Sequence, residues 1–295
     1  MSSIQMKKYL LIIPVHNDWK SVFKLIENID LQINAQSIDI IIINDASTES
    51  FDNFEKKYFK INSIKILNLI NNIGHCQGIA TALHYCNKHL EFDYIIPMDG
   101  DGEDRPEELK KFFELVESLA PEVITANRIK RSEGTLFKAL YVVHKFLTYI
   151  MIGKMVRFGN YSCLSKKAVG KILSSGSIWL TYSGSIIKNF SSIESISSIR
   201  GTRSFGPSKM NFAKLVIHSL NISATFRETI FIRSTLLVMF FSYAAHETTN
   251  SYFLIPAMLS WVFMLFMFYL SRKDDLKKLD ASYLNIKDLT TFYSR

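Results

Sequence analysis

The chain has 295 residues, 48% apolar and 21% charged, which allows one large domain or two modest ones and excludes wholesale disorder. Lys plus Arg number 35 against 27 Asp plus Glu, and the formal net charge of +8 suits anionic partners such as nucleotide phosphates or acidic lipid headgroups. Three scattered cysteines (Cys76, Cys86, Cys163) exclude a disulfide framework or a cysteine zinc cluster, and with no helix-turn-helix, zinc module or aromatic RNA-binding motif beside the positive charge, nucleic acid is not an expected partner.

Lys7 and Lys8 precede an apolar run at 9–15, but His16, Asn17 and Asp18 end it too soon for the core of a secretory signal, so it reads as a buried first strand. Further runs rich in Ile or Val fall at 39–43, 64–69, 94–98 and 123–126. Amphipathic stretches near 21–29, 51–59, 78–89 and 106–119 alternate with them, the last opening on Pro106 with Glu107 and Glu108 where a helix dipole favours acids. Continuous apolar strands alternating with helices predict a mostly parallel α/β sheet covered on both faces. Residues 174–198 are rich in Ser, but interleaved Ile and Phe argue against a disordered linker.

Residues 252–270 carry no charge and, as a helix, span roughly 28 Å, about the hydrocarbon thickness of a bilayer. Residues 229–245 hold one charge, Arg233, near their start, where it can snorkel. The connection HETTNS lacks Lys and Arg, whereas Arg227, Arg272, Lys273, Lys277 and Lys278 lie outside, which predicts a membrane hairpin with both ends in the cytoplasm. Residues 135–158 and 209–222 mix apolar and basic residues as interfacial helices do. The expected division is a cytoplasmic domain at 1–208, a juxtamembrane helix at 209–228, a hairpin at 229–272 and a cytoplasmic tail at 273–295. Membrane hairpins often pair, which leaves a homo-oligomer open. High Ile, Asn and Lys resemble a bacterial chain of low GC content.

The chemistry concentrates after the strands, where ligands of such sheets sit. The fourth strand runs into Asp99-Gly100-Asp101-Gly102-Glu103-Asp104. In extended chain, residues i and i+2 face the same way, so Asp99 and Asp101, with Glu103 continuing the spacing, offer hard oxygens to one Mg²⁺ or Mn²⁺. Alone, Asp-x-Asp is a weak signal, because acids crowd turns. Four other strands are followed by polar turns as well: Pro14-Val15-His16-Asn17-Asp18, Asn44-Asp45-Ala46-Ser47-Thr48, Asn71-Asn72-Ile73-Gly74-His75 and Ala126-Asn127-Arg128. Each alone also fits a helix cap or a simple turn.

Together the order PVHND, NDAST, NNIGHCQGIA, DGDGEDRPEE and ANR resembles the family 2 glycosyltransferases of GT-A fold. Arg203-Ser204-Phe205-Gly206-Pro207-Ser208-Lys209, Phe158-Gly159-Asn160-Tyr161-Ser162 and the hairpin resemble in particular the dolichol-phosphate mannose synthase and bacterial polyprenyl-phosphate glycosyltransferase branch. The likeness covers roughly residues 8–272. It implies that Pro14, His16, Asp18, Asp45, Gly74, Asp99 and Gly100 bind a nucleotide sugar, with Asp99, Asp101 and Glu103 on the metal. It also implies that Arg128, Arg131, Arg203, Ser208 and Lys209 contact phosphates of donor or lipid acceptor, that the catalytic residues are Asp101, Asp104 and Arg128, and that the site lies on the cytoplasmic face of the bacterial inner membrane. His16 stands where that branch has Tyr, Asn44 where it has the first of two Asp, and Gly102-Glu103 where it has Leu-Gln. The implied reaction is an inverting transfer to a polyprenyl phosphate. Such an acceptor is already anionic and needs no strong base, whereas a hydroxyl acceptor would need one, with Asp104 the candidate. Elongation of a saccharide through a hydroxyl, or an inactive membrane-anchored scaffold, are the other readings.

Overall fold

The structure, a computed structural model, describes residues 6–33, 37–50, 57–130, 149–206 and 212–295. Its centre is an eight-stranded sheet in the order β7-β5-β6-β4-β1-β2-β3-β8. In chain order these are β1 (Lys8–Val15), β2 (Ser37–Asn44), β3 (Ile61–Leu69), β4 (Tyr94–Pro97), β5 (Val123–Lys130), β6 (Ser162–Ser165), β7 (Glu194–Ile199) and β8 (Ile286–Ser294). β1 pairs in parallel with both β2 and β4, β2 with β3, and β5 with β7; β6 and β8 run antiparallel to their neighbours.

Alternation within the strands sorts the core onto two faces. Leu11, Ile13, Ile40, Ile42, Ile64 and Ile66 pack under α1 (Trp19–Gln32) and α3 (Leu109–Leu119). Leu10, Ile12, Ile41, Ile43 and Leu67 pack under α2 (His75–His89), α4 (Lys166–Leu173) and α5 (Tyr182–Asn189). Both faces are thereby covered, as a parallel sheet requires.

The five expected strands are present. Three further strands were not expected: β6 is four residues long, β7 alternates Ser with Ile at the sheet edge, and β8 lies in the stretch read only as a tail. The expected helix at 51–59 falls mostly outside the described residues, and 57–60 is irregular. The interfacial segment 135–158 is described only from Tyr149, where 149–152 form one helical turn. α6 (Phe212–Ala224) lies within the expected juxtamembrane helix.

Two helices, α7 (Arg227–Thr248) and α8 (Leu254–Ser271), follow as an adjacent antiparallel pair and are long and apolar enough to cross a membrane. Little of either is buried: Phe240, Tyr243, Met258, Leu259, Trp261 and Val262 are all more than half exposed. Arg233, the charge inside α7, donates to the backbone carbonyls of Tyr149 and Ile150. Ile230, Met267 and Leu270 join Leu180 and Ala224 in a small cluster that fastens the base of the pair to the sheet domain. The chain then forms α9 (Leu276–Ala281) and returns to the sheet as β8.

Candidate active site

The strand order turns back at β1, between β2 and β4, so the crevice beyond the carboxyl ends of β1 and β4 is the natural ligand position of this sheet. β4 ends at Pro97, and residues 100–103 form a turn, so Asp99 and Asp101 do not lie on the extended chain expected of them. The turn is made locally: Asp101 Oδ1 accepts the Glu103 N–H at 2.9 Å, and Asp104 Oδ2 accepts the Asp99 N–H at 2.9 Å. Gly100 is required by space, since a Cβ there would lie 2.7 Å from Val22 Cγ2 and 3.0 Å from the Pro14 carbonyl oxygen.

Each acid of this turn meets a basic side chain from outside it: His75, Arg128, and Arg200 and Arg203 of one segment. Asp99 Oδ1 lies 3.0 Å from His75 Nε2, at the start of α2, and accepts from Asn160 Nδ2 at 3.2 Å. Asp101 Oδ2 accepts from Arg203 at 2.9 Å, and the same guanidinium lies 3.5 Å from Asp18 Oδ2 after β1. Glu103 is bonded by Arg200. Asp104 is buried, with Arg128 of β5 at 3.7 Å.

The environment sets the protonation of these groups. Burial opposes ionisation of Asp99, but the His75 charge, hydrogen bonds from His75 and Asn160, and Arg128 hold its carboxyl well below the usual range. Burial likewise works against a charged His75, and Asp99 overcomes it to raise the imidazole above its ordinary value. Asp104 is pushed well up, by burial first and then by the Asp99 charge. Asp101 is raised by burial; its bond from the Glu103 N–H and the Arg203 charge oppose this, while Asp99 and Glu103 add to it. On α6, His218 is lowered by desolvation and then by the positive charge of His75, and Asp99 and Arg128 also act on it, which sets this helix beside the acidic turn.

On the β2 side, Asp45 is buried, and its two oxygens accept the N–H groups of Ile73 and Gly74 at 2.8 and 3.0 Å. His16 Nδ1 lies 2.9 Å from the Asp45 carbonyl. Asn17 Oδ1 accepts from Thr48 and Glu49 N–H, and Asn44 joins Asn68 to Ser47. Asp45 therefore ties the turns after β1, β2 and β3 together.

The structure brings these expected residues together at one turn in two contact groups, Asp18–Arg203–Asp101 and Asp99–Asp104–Arg128. Pro14 and Gly100 shape the floor there, and His16, Asp45 and Gly74 form a third group beside it. Glu103 stands in the same turn, with Arg200 bonded to its carboxylate. Arg131, Ser208 and Lys209 lie outside the described residues. His75, Asn160 and Arg200 were not singled out from sequence. His75 directly follows Gly74, and Asn160 sits in the Phe158–Ser162 motif, so both were adjacent to a legible signal; Arg200 had none.

Mg²⁺ and Mn²⁺ bind through one or two carboxylates, with waters and substrate phosphates filling the other positions. Asp99 and Asp101, with side chains 22% and 18% exposed, are part-open hard-oxygen donors of this kind. Among the described residues no three His, Cys, Asp or Glu side chains gather into a metal-holding group. The pair of part-open carboxylates, Asp99 and Asp101, fits an ion of this kind.

Among solved structures, the chain is similar to glucosyl-3-phosphoglycerate synthase from Mycobacterium tuberculosis in complex with Mn²⁺, UDP and glucosyl-3-phosphoglycerate. That match has 12% identity and a TM-score of 0.54, and covers 76% of this chain and 80% of that one. It is also similar to S. aureus TarS 1-349 in complex with UDP-GlcNAc, at 16% identity and a TM-score of 0.50, covering 94% and 88%. At such identities these likenesses establish a shared GT-A fold. No curated protein sequence matches the chain. The profile of the family described as "Glycosyl transferase family 2" matches residues 10–169, a span from β1 into α4 that holds all five polar turns, and the chain belongs to that glycosyltransferase family.

Proposed function

We propose that the chain is a membrane-bound, inverting glycosyltransferase that moves a sugar from a nucleotide-diphosphate donor to a polyprenyl phosphate. The observation that carries this reading is the acidic turn at 99–104 set beyond β1 and β4, with Arg128, Arg200 and Arg203 around it. It combines carboxylates for a divalent ion with guanidiniums for phosphate. The UDP, UDP-GlcNAc and Mn²⁺ in the complexes of the two similar proteins support a nucleotide donor and a divalent ion.

In this reading Asp99 and Asp101 hold Mg²⁺ or Mn²⁺, which when bound neutralises the charge that develops on the departing diphosphate. Pro14, His16, Asp18 and Asp45 line the nucleoside pocket, where Asp45 acts by fixing the turn that carries Gly74. Arg128, with Arg203, Arg131, Ser208 and Lys209, receives phosphates of donor and acceptor. Asp104 is buried, with one oxygen on the Asp99 N–H and the other facing Arg128, and so holds the turn in place rather than abstracting a proton. That arrangement suits an acceptor already ionised, such as a lipid phosphate.

The bilayer enters through α7 and α8. Each large apolar side chain gains about 1.5–3 kcal/mol when it leaves water, and the exposed faces of these two helices leave that gain unrealised in an aqueous surround. A hydrocarbon surround supplies it. Lys and Arg beyond α8, and their absence from the connection between the helices, support a cytoplasmic catalytic face at the bacterial inner membrane.

Membranes from an expressing strain, supplied with labelled UDP- and GDP-sugars with and without undecaprenyl phosphate, test this. Label entering a mild-acid-labile, single-sugar lipid, lost in Asp101→Ala and with chelator, is the expected result. Label only in longer glycans would establish the hydroxyl-acceptor reading, which the phosphoglycerate product in the mycobacterial complex favours. No transfer from any donor would establish the inactive scaffold.

A further inference from the structure

Arg203 was expected to meet a phosphate, yet its guanidinium lies on two acids of the donor crevice. One nitrogen is 2.9 Å from Asp101 Oδ2 and another is 3.5 Å from Asp18 Oδ2. The third, Nε, is buried and has no hydrogen-bond partner among the described residues. A buried donor left unpaired marks an arrangement that a better acceptor can displace.

The backbone around Arg203 is docked as closely as its side chain. Gly201 N–H donates to the Glu103 carbonyl at 2.8 Å, and Ser204 N–H donates to the Asp101 carbonyl at 2.9 Å. A Cβ on Gly102 would fall 2.7 Å from Ser204 Oγ, and one on Gly201 would fall 2.7 Å from the Gly102 carbonyl. Residues 200–204 thus clasp the turn that carries Asp99 and Asp101. Arg128 differs: Asp104 holds it from one side, and Gly159 leaves just the room its guanidinium needs.

We propose that Arg203 is a built-in competitor of the divalent cation for Asp101, and that a nucleoside diphosphate relieves the competition by giving Arg203 an anion to hold. Two cations on one carboxylate repel, and that repulsion is weakly screened where the side chains are four-fifths buried. A diphosphate brings negative charge to both at once. Cation and nucleotide therefore bind cooperatively, each strengthening the other by the same factor. In this scheme Arg203 weakens metal binding at the carboxylates until a donor arrives and then holds the donor's diphosphate. The inference rests on the donor site proposed above.

The test is Mn²⁺ binding, read by electron paramagnetic resonance on the full-length protein in detergent, alone and with saturating UDP or GDP. For the wild type, weak binding of Mn²⁺ alone and at least tenfold tighter binding with one of the nucleotides are expected. In Arg203→Gln, Mn²⁺ alone should bind about tenfold more tightly than to the wild type, and the gain from nucleotide should shrink to less than threefold. Arg203→Lys keeps the charge without the two-pronged reach and should give an intermediate affinity, which guards against a variant that fails to fold. Unchanged or weaker binding of Mn²⁺ alone in both variants overturns the competition, while leaving the donor site standing if Asp101→Asn still abolishes binding in the presence of nucleotide. Mn²⁺ binding that survives Asp101→Asn, or no binding to the wild type with either nucleotide, overturns the donor-site reading and this inference with it.

Discussion

Asp45 shows how a single side chain organises the crevice. Its carboxylate is the acceptor for two backbone N–H groups of the β3–α2 turn, and its carbonyl lies beside His16. Asp45→Ala should leave both donors unpaired and cost about 2–3 kcal/mol, read as a lower denaturation midpoint, together with weaker nucleotide binding. Weaker binding at unchanged stability would show instead that the carboxylate works on the ligand. Gly100→Ala tests the floor. With 2.7 Å to Val22 and 3.0 Å to the Pro14 carbonyl, the added methyl has nowhere to go, and a loss of about 1–3 kcal/mol with reduced transfer is expected. At this scale the sequence made the acids plain, since Asp99 and Asp101 follow an apolar strand directly. Their partners were opaque. His75 and Arg203 reach Asp99 and Asp101 from segments 24 and 102 residues distant, and no local pattern encodes such a meeting.

Among the elements, β8 carries the largest consequence. It covers the edge of β3 and sends Leu289 to one core face and Phe292 and Tyr293 to the other. The Phe292 ring packs tilted against Phe23 with centroids 5.2 Å apart, and Tyr293 donates to the Tyr58 carbonyl at 2.6 Å. Removing residues 286–295 should bare a long edge strand, lower the melting temperature by roughly 10 °C and promote aggregation, which light scattering during a thermal scan would detect. The segment before it bears a pH dependence. His84 of α2 packs on the Tyr283 ring at 4.4 Å, with Lys88, His89 and Asp280 near it. Burial holds its pKa below the ordinary value, with Lys88 and His89 pushing the same way against Asp280 and a backbone hydrogen bond at Leu279. The folded form therefore binds a proton less readily than the unfolded one. Its stabilising share is complete above about pH 6.5 and is lost as pH falls through the lower folded value. Between pH 8 and 5.5 the wild type should lose more melting temperature than His84→Gln; parallel curves would remove His84 as the cause. The first five strands could be read because Ile and Val ran continuously through them. β6, β7 and β8 could not, because four residues, a Ser/Ile alternation and a polar-studded edge carry too little apolar signal.

For the whole molecule, the charge and the apolar helices belong together. The exposed faces of α7 and α8 predict that the chain floats with liposomes in a density gradient and stays there in 1 M NaCl, while Asp substitutions at Leu259 and Val262 shift it to the soluble fraction or to aggregates. Release by salt alone would reduce the membrane attachment to surface charge. The uncharged run at 252–270 made this hairpin legible from composition. Its junction with the sheet was not, because it depends on Leu180, Ala224, Ile230, Met267 and Leu270 meeting from four separate segments. The polypeptide departs the sheet after β7 and rejoins it at β8, so the apolar pair is spliced into the fold rather than appended to it. Swapping it for a foreign anchor by end-to-end fusion would discard a piece of the sheet. A water-soluble version must instead bridge the two junctions internally, and a reporter attached after Arg295, whose N–H donates to the Asn62 carbonyl at 2.9 Å, would emerge against the rim of the catalytic domain rather than from the hydrophobic helices.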